Sequence, residues 1–486
     1  MKSLARFPAA VPFDSRRTDT GKRNVARRAA RIGLVRRSRA LFSSPRLWKP
    51  RLVFWTAALA IGAIGAGFAS LANVAQATFA NAFTGHDGWH RFIPLVLTPA
   101  GFLLTAWLAS RFFPASQGSG IPQAIAARHL RDDEERSRFL SFRMAVGKIL
   151  LTILGLLCGA SIGREGPTVQ VGASIMLQAA RWGGMAQARG LILAGSAAGI
   201  AAAFNTPLAG IVFAIEEMSR AYQARTNGLV LFAVILAGLA SLSVAGNYTY
   251  FGITHVTAAF PGDVPLVIAC GVVGGAFGAL FSTATLWITR TVRQWRAGTP
   301  LTRMFVIAGS AGLAVAIMGV AFDGATFGTG YAQARGAIEG TPLPPLYFLG
   351  KFIASLASTV GGIPGGLFAP SLSVGAGLGS TLGVAFGANI SLAAVLGMAG
   401  YFAGVVQAPM TAFVIILEMT GDHANVIPLM IASMLGYGTA RLITPEPLYH
   451  SLSRFFIADA LRRRRAETAS ERPEPFNPAE TRSRVE

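Results

Sequence analysis

A glutamate within an apolar region is the residue of this chain that most clearly indicates chemistry. Glu165 lies in the sequence Gly-Arg-Glu-Gly-Pro at residues 163–167, and apolar segments flank it on both sides. A carboxylate in the core of a bilayer costs about 2.5–3.5 kcal/mol or more, so such an acid is usually retained for a function. A buried carboxylate can compete with an anion for a site, and it can carry a proton. We therefore take Glu165 as the first candidate functional residue.

A frame of glycine and proline like that around Glu165 occurs three times along the chain. Residues 118–122 read Gly-Ser-Gly-Ile-Pro and residues 366–370 read Gly-Leu-Phe-Ala-Pro. The last motif follows the second at an offset of 370 − 167 = 203, which places Phe368 where Glu165 stands. Glycine lets backbone approach a ligand, and proline suits the first turn of a helix. Helix starts carry unpaired N–H groups and partial positive charge, so three that meet would bind an anion. The motif residues are Gly118, Gly120, Pro122, Gly163, Arg164, Gly166, Pro167, Gly366 and Pro370.

The elements that must position these motifs are predicted to be membrane helices. Hydrophobic residues make up 52% of the 486 residues and charged residues only 13%, whereas soluble proteins carry about 25% charged residues. Runs that reach or approach the length of a membrane span, about 17–25 residues, lie at 52–79, 92–113, 229–245, 264–289 and 303–321. Shorter runs, broken by glycine, lie at 168–180, 190–203, 208–218, 371–389 and 409–420. They predict tilted or re-entrant half-helices buried by other helices. The fold class is an all-α polytopic membrane protein.

A second match along the chain predicts an internal repeat. Asn-Thr-Pro-Leu at 205–208 returns as Gln-Ala-Pro-Met at 407–410, with an offset of 409 − 207 = 202. At that offset Glu216 aligns with Glu418, whereas Glu217 aligns with a methionine. We predict a shared structural role for the first two acids and a specialised role for Glu217. The predicted domains are a disordered basic arm at 1–50, membrane repeats at 51–255 and 256–452, and a short cytoplasmic tail at 453–486, disordered from 466.

The net charge of +21 is concentrated at the two ends of the chain. Residues 1–51 hold fifteen lysines and arginines, and residues 462–465 are four arginines. Basic segments beside membrane spans usually stay in the cytoplasm, so both termini are predicted there, next to the anionic leaflet rather than to nucleic acid. The first long apolar run begins near Leu52, too late for a secretory signal peptide. Cys158 and Cys270 lie in apolar sequence, so we expect no disulfide, metal site or cofactor.

In combination and in this order, the three motifs resemble the CLC family of chloride channels and chloride/proton antiporters. The resemblance covers residues 52–452 and extends to the segments Phe213–Met218, Leu417–Gly421 and Pro447–Tyr449. It implies two homologous inverted repeats, a relation that spacing alone leaves open. It also implies a homodimer in the plasma (inner) membrane, with one complete pathway in each subunit.

The resemblance further implies roles for individual residues. Glu165 would be the gate, which competes with the anion and carries protons when released, and Glu217 would relay protons to the cytoplasm. Family channels usually lack an acid at the position of Glu217, so proton-coupled chloride antiport is the favoured prediction and an uncoupled voltage-gated-type chloride channel is the alternative. Serine rather than proline at position 119 favours chloride over nitrate, and the serine motif together with the tyrosine argues against fluoride export. The residues expected to bind the anion are Ser119, Leu367, Phe368 and Tyr449.

Other interpretations fit the sequence less well. Gly-Ser-Gly at 118–120 could belong to an intramembrane serine hydrolase, but the six histidines all lie in loops or at the ends of apolar runs. We expect no enzymatic activity. A cation transporter that uses the buried acids is disfavoured, because helix starts prefer anions. Arg164 is predicted to be a structural partner of the gate. Lys148 either raises the local positive potential or extends its ammonium group towards the membrane surface.

Overall fold

A computed structural model of the protein describes residues 45–83, 88–220, 224–246, 249–252, 254, 256–295 and 300–470. The chain divides into two units, Met1–Val53 and Phe54–Glu486. In the first unit the described residues are helical, and the Arg51 guanidinium lies over the Trp48 ring, 5.8 Å from its centroid. Most of the predicted basic arm and the end of the predicted tail lie outside the described residues. All contacts discussed below belong to the second unit.

The described residues are organised into α-helices, with one 3-10 turn at Trp89–Phe92 and one π-helical turn at Ala214–Ser219. The helices are α1 Pro45–Phe83, α2 Pro94–Phe112, α3 Ile121–His129, α4 Asp133–Phe139, α5 Phe142–Leu157, α6 Glu165–Gly183, α7 Ala188–Phe204, α8 Pro207–Phe213, α9 Ala224–Ala245, α10 Val264–Trp295, α11 Pro300–Ala321, α12 Tyr331–Ile338, α13 Tyr347–Val360, α14 Phe368–Phe386, α15 Ile390–Val406, α16 Pro409–Thr420, α17 Val426–Ile443 and α18 Leu448–Ser470.

Eight of the described helical segments are long and apolar enough to cross a membrane. They include helices at all five long apolar runs of the sequence, namely α1, α2, α9, α10 and α11. The prediction of an all-α polytopic membrane protein is therefore confirmed. Two predicted boundaries are wrong: α1 begins at Pro45, inside the predicted arm, and α18 continues to Ser470, past the predicted start of disorder at residue 466. Hydropathy marks where a span leaves the membrane, but a helix continues while good helix formers such as Ala, Arg and Glu follow.

The short helices are repeated in the two parts of the chain. Helices α6 and α14 each have 19 residues and begin 203 residues apart, and α7 and α15 each have 17 residues and begin 202 residues apart. The residue that ends α7, Asn205, and the residue that ends α15, Gln407, both have φ 58° and ψ 39°. Equal lengths, offsets and backbone angles support the predicted repeat. The predicted boundary at residues 255/256 stays a prediction, because residue 255 lies outside the described residues.

Glycine pairs allow the repeated helices to pack closely. A Cβ atom on Gly172 of α6 would collide with the carbonyl oxygen of Gly195 in α7, and one on Gly195 would collide with the carbonyl of Gly172. Gly375 and Gly397 form the same contact between α14 and α15. The backbones touch where side chains would otherwise separate them, as is common between membrane helices. Almost all of α7 and α15 is buried as a result.

The two repeats are joined by reciprocal helix caps. The Glu216 carboxylate accepts hydrogen bonds from the backbone N–H groups of Met410 (3.1 Å) and Thr411 (2.6 Å) at the start of α16. The Glu418 carboxylate accepts hydrogen bonds from Leu208 (3.0 Å) and Ala209 (2.6 Å) at the start of α8. Each acid thus neutralises the positive end of the other repeat's helix. The structural role predicted for Glu216 and Glu418 is confirmed, and their exchange of partners is the contact pattern of a local two-fold axis.

Candidate functional site

The three glycine–proline motifs meet through their backbones. Gly118 donates a hydrogen bond to the Ile363 carbonyl (3.1 Å), and Gly365 donates one to the Gly118 carbonyl (3.1 Å). Gly163 and Gly366 exchange two hydrogen bonds of 2.8 and 2.7 Å. These are the ladder contacts of a β-bridge, made between segments more than 200 residues apart in the second case. The motif that precedes α14 therefore lies between the other two.

The absence of a side chain at Gly166 brings two of the motifs into contact. A Cβ atom at this position would lie 2.8 Å from the Ser119 carbonyl oxygen and would collide with the Ser119 hydroxyl. Helix α3 begins at Ile121, directly after Ser119, and α6 begins at Glu165. Helix starts with unpaired N–H groups are thereby brought together, as the sequence predicted.

Buried hydroxyl groups without partners lie at this meeting point. The hydroxyls of Ser119 and Tyr449 are both buried, and neither makes a hydrogen bond of good geometry. The two groups nevertheless interact with each other, so the predicted anion ligands from α3 and α18 lie side by side. A buried hydroxyl without a partner is costly, and an anion between the two would accept a hydrogen bond from each.

Aromatic rings form the wall next to these hydroxyls. Phe368, the first residue of α14, is fully buried. Its ring centroid lies 4.8 Å from that of Phe402, 5.9 Å from that of Phe213 and 6.1 Å from that of Tyr449, all in edge-to-face arrangements. The packed rings hold the start of α14 rigidly and exclude water. Leu367 caps the same helix.

Glu165 occupies the first position of α6 and is fully buried. Backbone N–H groups of Glu165 itself and of Ala369 lie near its carboxylate, although no hydrogen bond of good geometry is formed. The carboxylate thus lies at the starts of α6 and α14, where an anion would also be attracted. Both predicted acids, Glu165 and Glu217, are buried with unpartnered oxygens, in contrast to Glu216, whose carboxylate accepts two backbone hydrogen bonds.

Arg164 beside the gate has a structural role, as predicted. It donates hydrogen bonds to the Ala69 carbonyl (2.5 Å) and to Asn73 Oδ1 (2.9 Å), both in α1. Its guanidinium also lies over the Tyr250 ring, 5.6 Å from the centroid. The same residue lines a cavity of about 660 Å³, together with Gln76 and Tyr331. Arg164 therefore anchors the gate motif to α1 and gives positive charge to this cavity.

Glu217 lies in the π-helical turn that extends α8. In the second repeat the corresponding helix α16 is α-helical to its end. The aligned acids are 418 − 216 = 202 apart, but the left-handed residues that end the two helices, Arg220 and Gly421, are 421 − 220 = 201 apart. The first repeat therefore contains one extra residue after the aligned acid. A π-turn is the form in which a helix accommodates an inserted residue, and such turns are frequent at functional sites.

Two basic side chains hold the segment around Glu217. A ring nitrogen of His450, Nε2, lies 2.8 Å from the Glu217 carbonyl oxygen. Arg128 at the end of α3 donates to the Met218 carbonyl (2.6 Å) and to the Ser219 hydroxyl (3.0 Å). Sequence reasoning missed both residues. His450 follows Tyr449 directly, which was a usable signal, but Arg128 is 90 residues from its partner and its sequence gives no sign of the contact.

Lys148 does not extend to the membrane surface. It is fully buried, and its ammonium group donates to the carbonyls of Ser116 (2.7 Å) and Gly118 at the first motif. Of the two interpretations, a positive charge beside the anion motif is therefore supported. Lys351 makes the equivalent contacts in the second repeat, with the carbonyls of Thr326 (3.0 Å) and Gly328 (2.7 Å).

The second repeat also contains a counterpart of Ser119. Thr329 lies between Gly328 and Gly330, directly before α12. Its hydroxyl and its backbone N–H both donate to Gln76 Oε1, at 2.8 and 2.9 Å. The protein itself therefore supplies the acceptor in this repeat. At Ser119 no such internal acceptor with good geometry is present among the described residues, and only there is a hydroxyl available to a ligand.

Comparisons with known proteins agree with this geometry. The family model described as "Voltage gated chloride channel" matches residues 100–441. The H(+)/Cl(-) exchange transporter ClcA of Cronobacter sakazakii is 32% identical over 399 residues, which are 77% of this chain and 83% of the relative. The structure of a slow cyanobacterial Cl−/H+ antiporter matches with a TM-score of 0.74 at 25% identity, covering 85% of this chain and 99% of that chain. A CLC-type fluoride/proton antiporter, with a TM-score of 0.70 at 23% identity, covers 84% of this chain and 99% of that chain and has the same fold.

Proposed function

Because the chain belongs to the voltage-gated chloride channel family, we propose that it exchanges chloride for protons across a membrane. The observation that carries this proposal is the meeting of helix starts at the unpartnered hydroxyls of Ser119 and Tyr449, with the Glu165 carboxylate at the same helix starts. The relatives with the most similar sequences are named as chloride/proton exchangers, which agrees with this chemistry.

The anion step follows from the electrostatics of the site. Chloride binds between the hydroxyls of Ser119 and Tyr449, and the backbone amides at Leu367 and Phe368 stabilise its charge. The Glu165 carboxylate is also monovalent and negative, so it occupies the outer part of the pathway when no chloride is there. Protonation removes its charge and its affinity for the helix starts, and chloride then replaces it. One side chain thus makes anion passage depend on a proton.

The proton step uses Glu217 as the inner relay. Glu217 and Glu165 both act electrostatically on the Tyr449 hydroxyl, so the tyrosine lies within reach of both acids. The buried Glu217 carboxylate has no hydrogen-bond partner that would fix it in one charge state. It can therefore take a proton from one side and release it towards Glu165, on a route that chloride does not follow.

The same proposal extends to the placement of the protein. We place it in the plasma (inner) membrane with both termini in the cytoplasm, since the basic residues at both ends favour that side. Glu217, His450 and the start of α18 then lie towards the cytoplasm. The protein is a homodimer in which each subunit has a complete pathway, because all the residues of the site come from one chain.

The test is a measurement in proteoliposomes in which a chloride gradient is imposed and proton movement is followed. Antiport predicts that protons move uphill, against their own gradient. In Glu217→Gln, which cannot ionise, we expect chloride flux to continue and uphill proton movement to stop. Glu216→Gln is the matched control: the neighbouring acid caps α16, and coupling should persist.

Other results would exclude the proposal in defined ways. Chloride flux without proton movement in the unmutated protein would make it a channel, the alternative that the family name also allows. Fluoride flux that greatly exceeds chloride flux would assign it to the fluoride exporters. No flux of either anion would refute the proposed site.

A further inference from the structure

A second positively charged cavity lies apart from the anion pathway. It has a volume of about 650 Å³ and lies between the end of α3, the start of α7 and the π-helical turn. We call it the arginine cavity. Four arginines and one histidine line it: Arg128, Arg131, Arg136, Arg189 and His129. The cavity is on the same face as α18, since α4 next to it is joined to α18 by an ion pair between Arg138 and Glu467 (3.1 Å).

Most of the positive charge in the arginine cavity is not balanced by an acid. Arg136 has an ion pair with Asp133 (2.7 Å) and donates to the Leu130 carbonyl. Arg131 and Arg189 have no acidic partner among the residues that the structure describes. Arg189 is close enough to Arg128 for the two charges to repel each other. Like charges around a shared cavity destabilise the protein unless an anion lies between them.

The start of α7 adds to this unbalanced charge. The helix has no acidic residue in its first turn, Arg189 is its second residue, and Gln187 before it provides no side-chain cap. At the same place in the second repeat, Asn389 caps α15 by accepting from Ser391 (2.9 Å) and Leu392 (3.3 Å). A positive side chain at the positive end of a helix is unfavourable. The first repeat thus lacks a cap that the second repeat has, at the edge of a basic cavity.

We propose that the arginine cavity binds an anion that carries two or more phosphate charges. The volume is far larger than chloride requires, and guanidinium groups match phosphate oxygens with paired hydrogen bonds. Three unbalanced arginines also require more than one negative charge. The phosphate can belong to a soluble molecule or to the headgroup of an anionic lipid.

Binding in this cavity would influence transport through Arg128. Its guanidinium holds the Met218 carbonyl and Ser219 hydroxyl, next to the proposed proton relay, and α3 begins directly after Ser119. An anion between Arg128 and Arg189 removes their repulsion and fixes α3 and the π-helical turn relative to each other. This effect on transport rests on the function proposed above, whereas binding itself does not.

Binding is tested on the full-length protein in detergent, with inorganic pyrophosphate as the soluble probe. Its apparent affinity is measured from the rise in Tm with concentration. Arg131→Gln and Arg189→Gln should each weaken it by about tenfold or more, because each removes a charge-assisted hydrogen bond. Arg463→Gln is the control, since this exposed arginine of α18 lies outside the cavity. Arg131 and Arg189 are exposed, so the variants should fold, and their Tm without probe reports whether they do.

The lipid source is tested in a second arm. Tm is compared in phosphatidylcholine vesicles and in vesicles of equal parts phosphatidylcholine and cardiolipin, a lipid with two phosphates. Stabilisation by cardiolipin that is lost in Arg131→Gln/Arg189→Gln, without an effect of pyrophosphate, assigns the cavity to a lipid headgroup. Stabilisation by neither probe, or an equal loss in Arg463→Gln, overturns the proposal. Neither readout needs transport, so failure here is distinct from failure of the proposed antiport.

Discussion

At the level of single residues, the site is defined by which polar groups have partners and which do not. Among the buried side chains of the two repeats, Glu216, Glu418 and Thr329 have their hydrogen bonds supplied by the protein. Glu165 and Glu217 do not. Satisfied groups stabilise one arrangement, whereas unpartnered buried groups are costly and are retained where a ligand or a proton completes them. This difference separates functional acids from structural ones more clearly than burial does.

Gly166→Ala should lower chloride flux by about tenfold or more. The added Cβ collides with the Ser119 hydroxyl and carbonyl, and overpacking of this kind costs about 1–3 kcal/mol. Ser119 must move away from Tyr449, so the anion loses a ligand. Chloride efflux from proteoliposomes measures the effect. Gly67→Ala in α1, where an added Cβ meets nothing within 4 Å, should leave flux unchanged. Unaltered flux in Gly166→Ala would mean that Ser119 does not contact the anion.

At the level of helices, the reciprocal caps hold the two repeats in register. The sequence predicted that Glu216 and Glu418 were equivalent, because they align at the same offset as the motifs. Their partners could not be predicted, since each acid bonds to backbone about 200 residues away in the other repeat. The pairing of Lys148 with Lys351 was available from the sequence, at an offset of 351 − 148 = 203, and was missed.

Glu418→Ala should lower the free energy of unfolding by about 1–2 kcal/mol, the usual cost of losing a helix cap. Two backbone N–H groups at the start of α8 would lose their acceptor. The apparent Tm in detergent measures the change. The control is Glu339→Ala, which breaks an exposed ion pair with Arg335 and should not change Tm. Equal Tm values for both variants would contradict the capping role.

The counterpart of Ser119 in the second repeat shows why part of the site could not be predicted. Gly328, Thr329 and Gly330 correspond to Gly118, Ser119 and Gly120, but at an offset of 328 − 118 = 210 instead of 203. Loops of different length hide the match from an alignment by constant spacing. That Gln76 satisfies Thr329 depends on contacts 253 residues apart, which only the folded chain reveals. The helices and the motifs were predictable because they depend on local patterns.

At the level of the whole molecule, the site is built from distant parts of one chain. Ser119, Glu165, Phe368 and Tyr449 come from four different helices, and their packing needs both repeats. A subunit of the proposed homodimer therefore needs no residue of its partner to complete a pathway.

A dimer that contains one Glu217→Gln subunit should retain about half of the uphill proton movement of the unmutated dimer, as expected for independent, symmetric subunits. Subunits with different affinity tags allow such mixed dimers to be purified. Proton movement in vesicles is then compared with that of the two pure dimers. Its complete loss would show that the subunits work together, and failure to recover mixed dimers would contradict the homodimer.

The single extra residue in the π-helical turn gives a duplicated protein its direction. A gene fusion of two equal halves related by a two-fold axis would present the same machinery to both sides of the membrane. One additional codon after Glu216 lengthens one half only, in the segment where Glu217 stands opposite a methionine. The two entrances become chemically different while the caps and glycine contacts of the ancestor persist. An exchanger with distinct faces can thus arise from a symmetric one without rebuilding its scaffold.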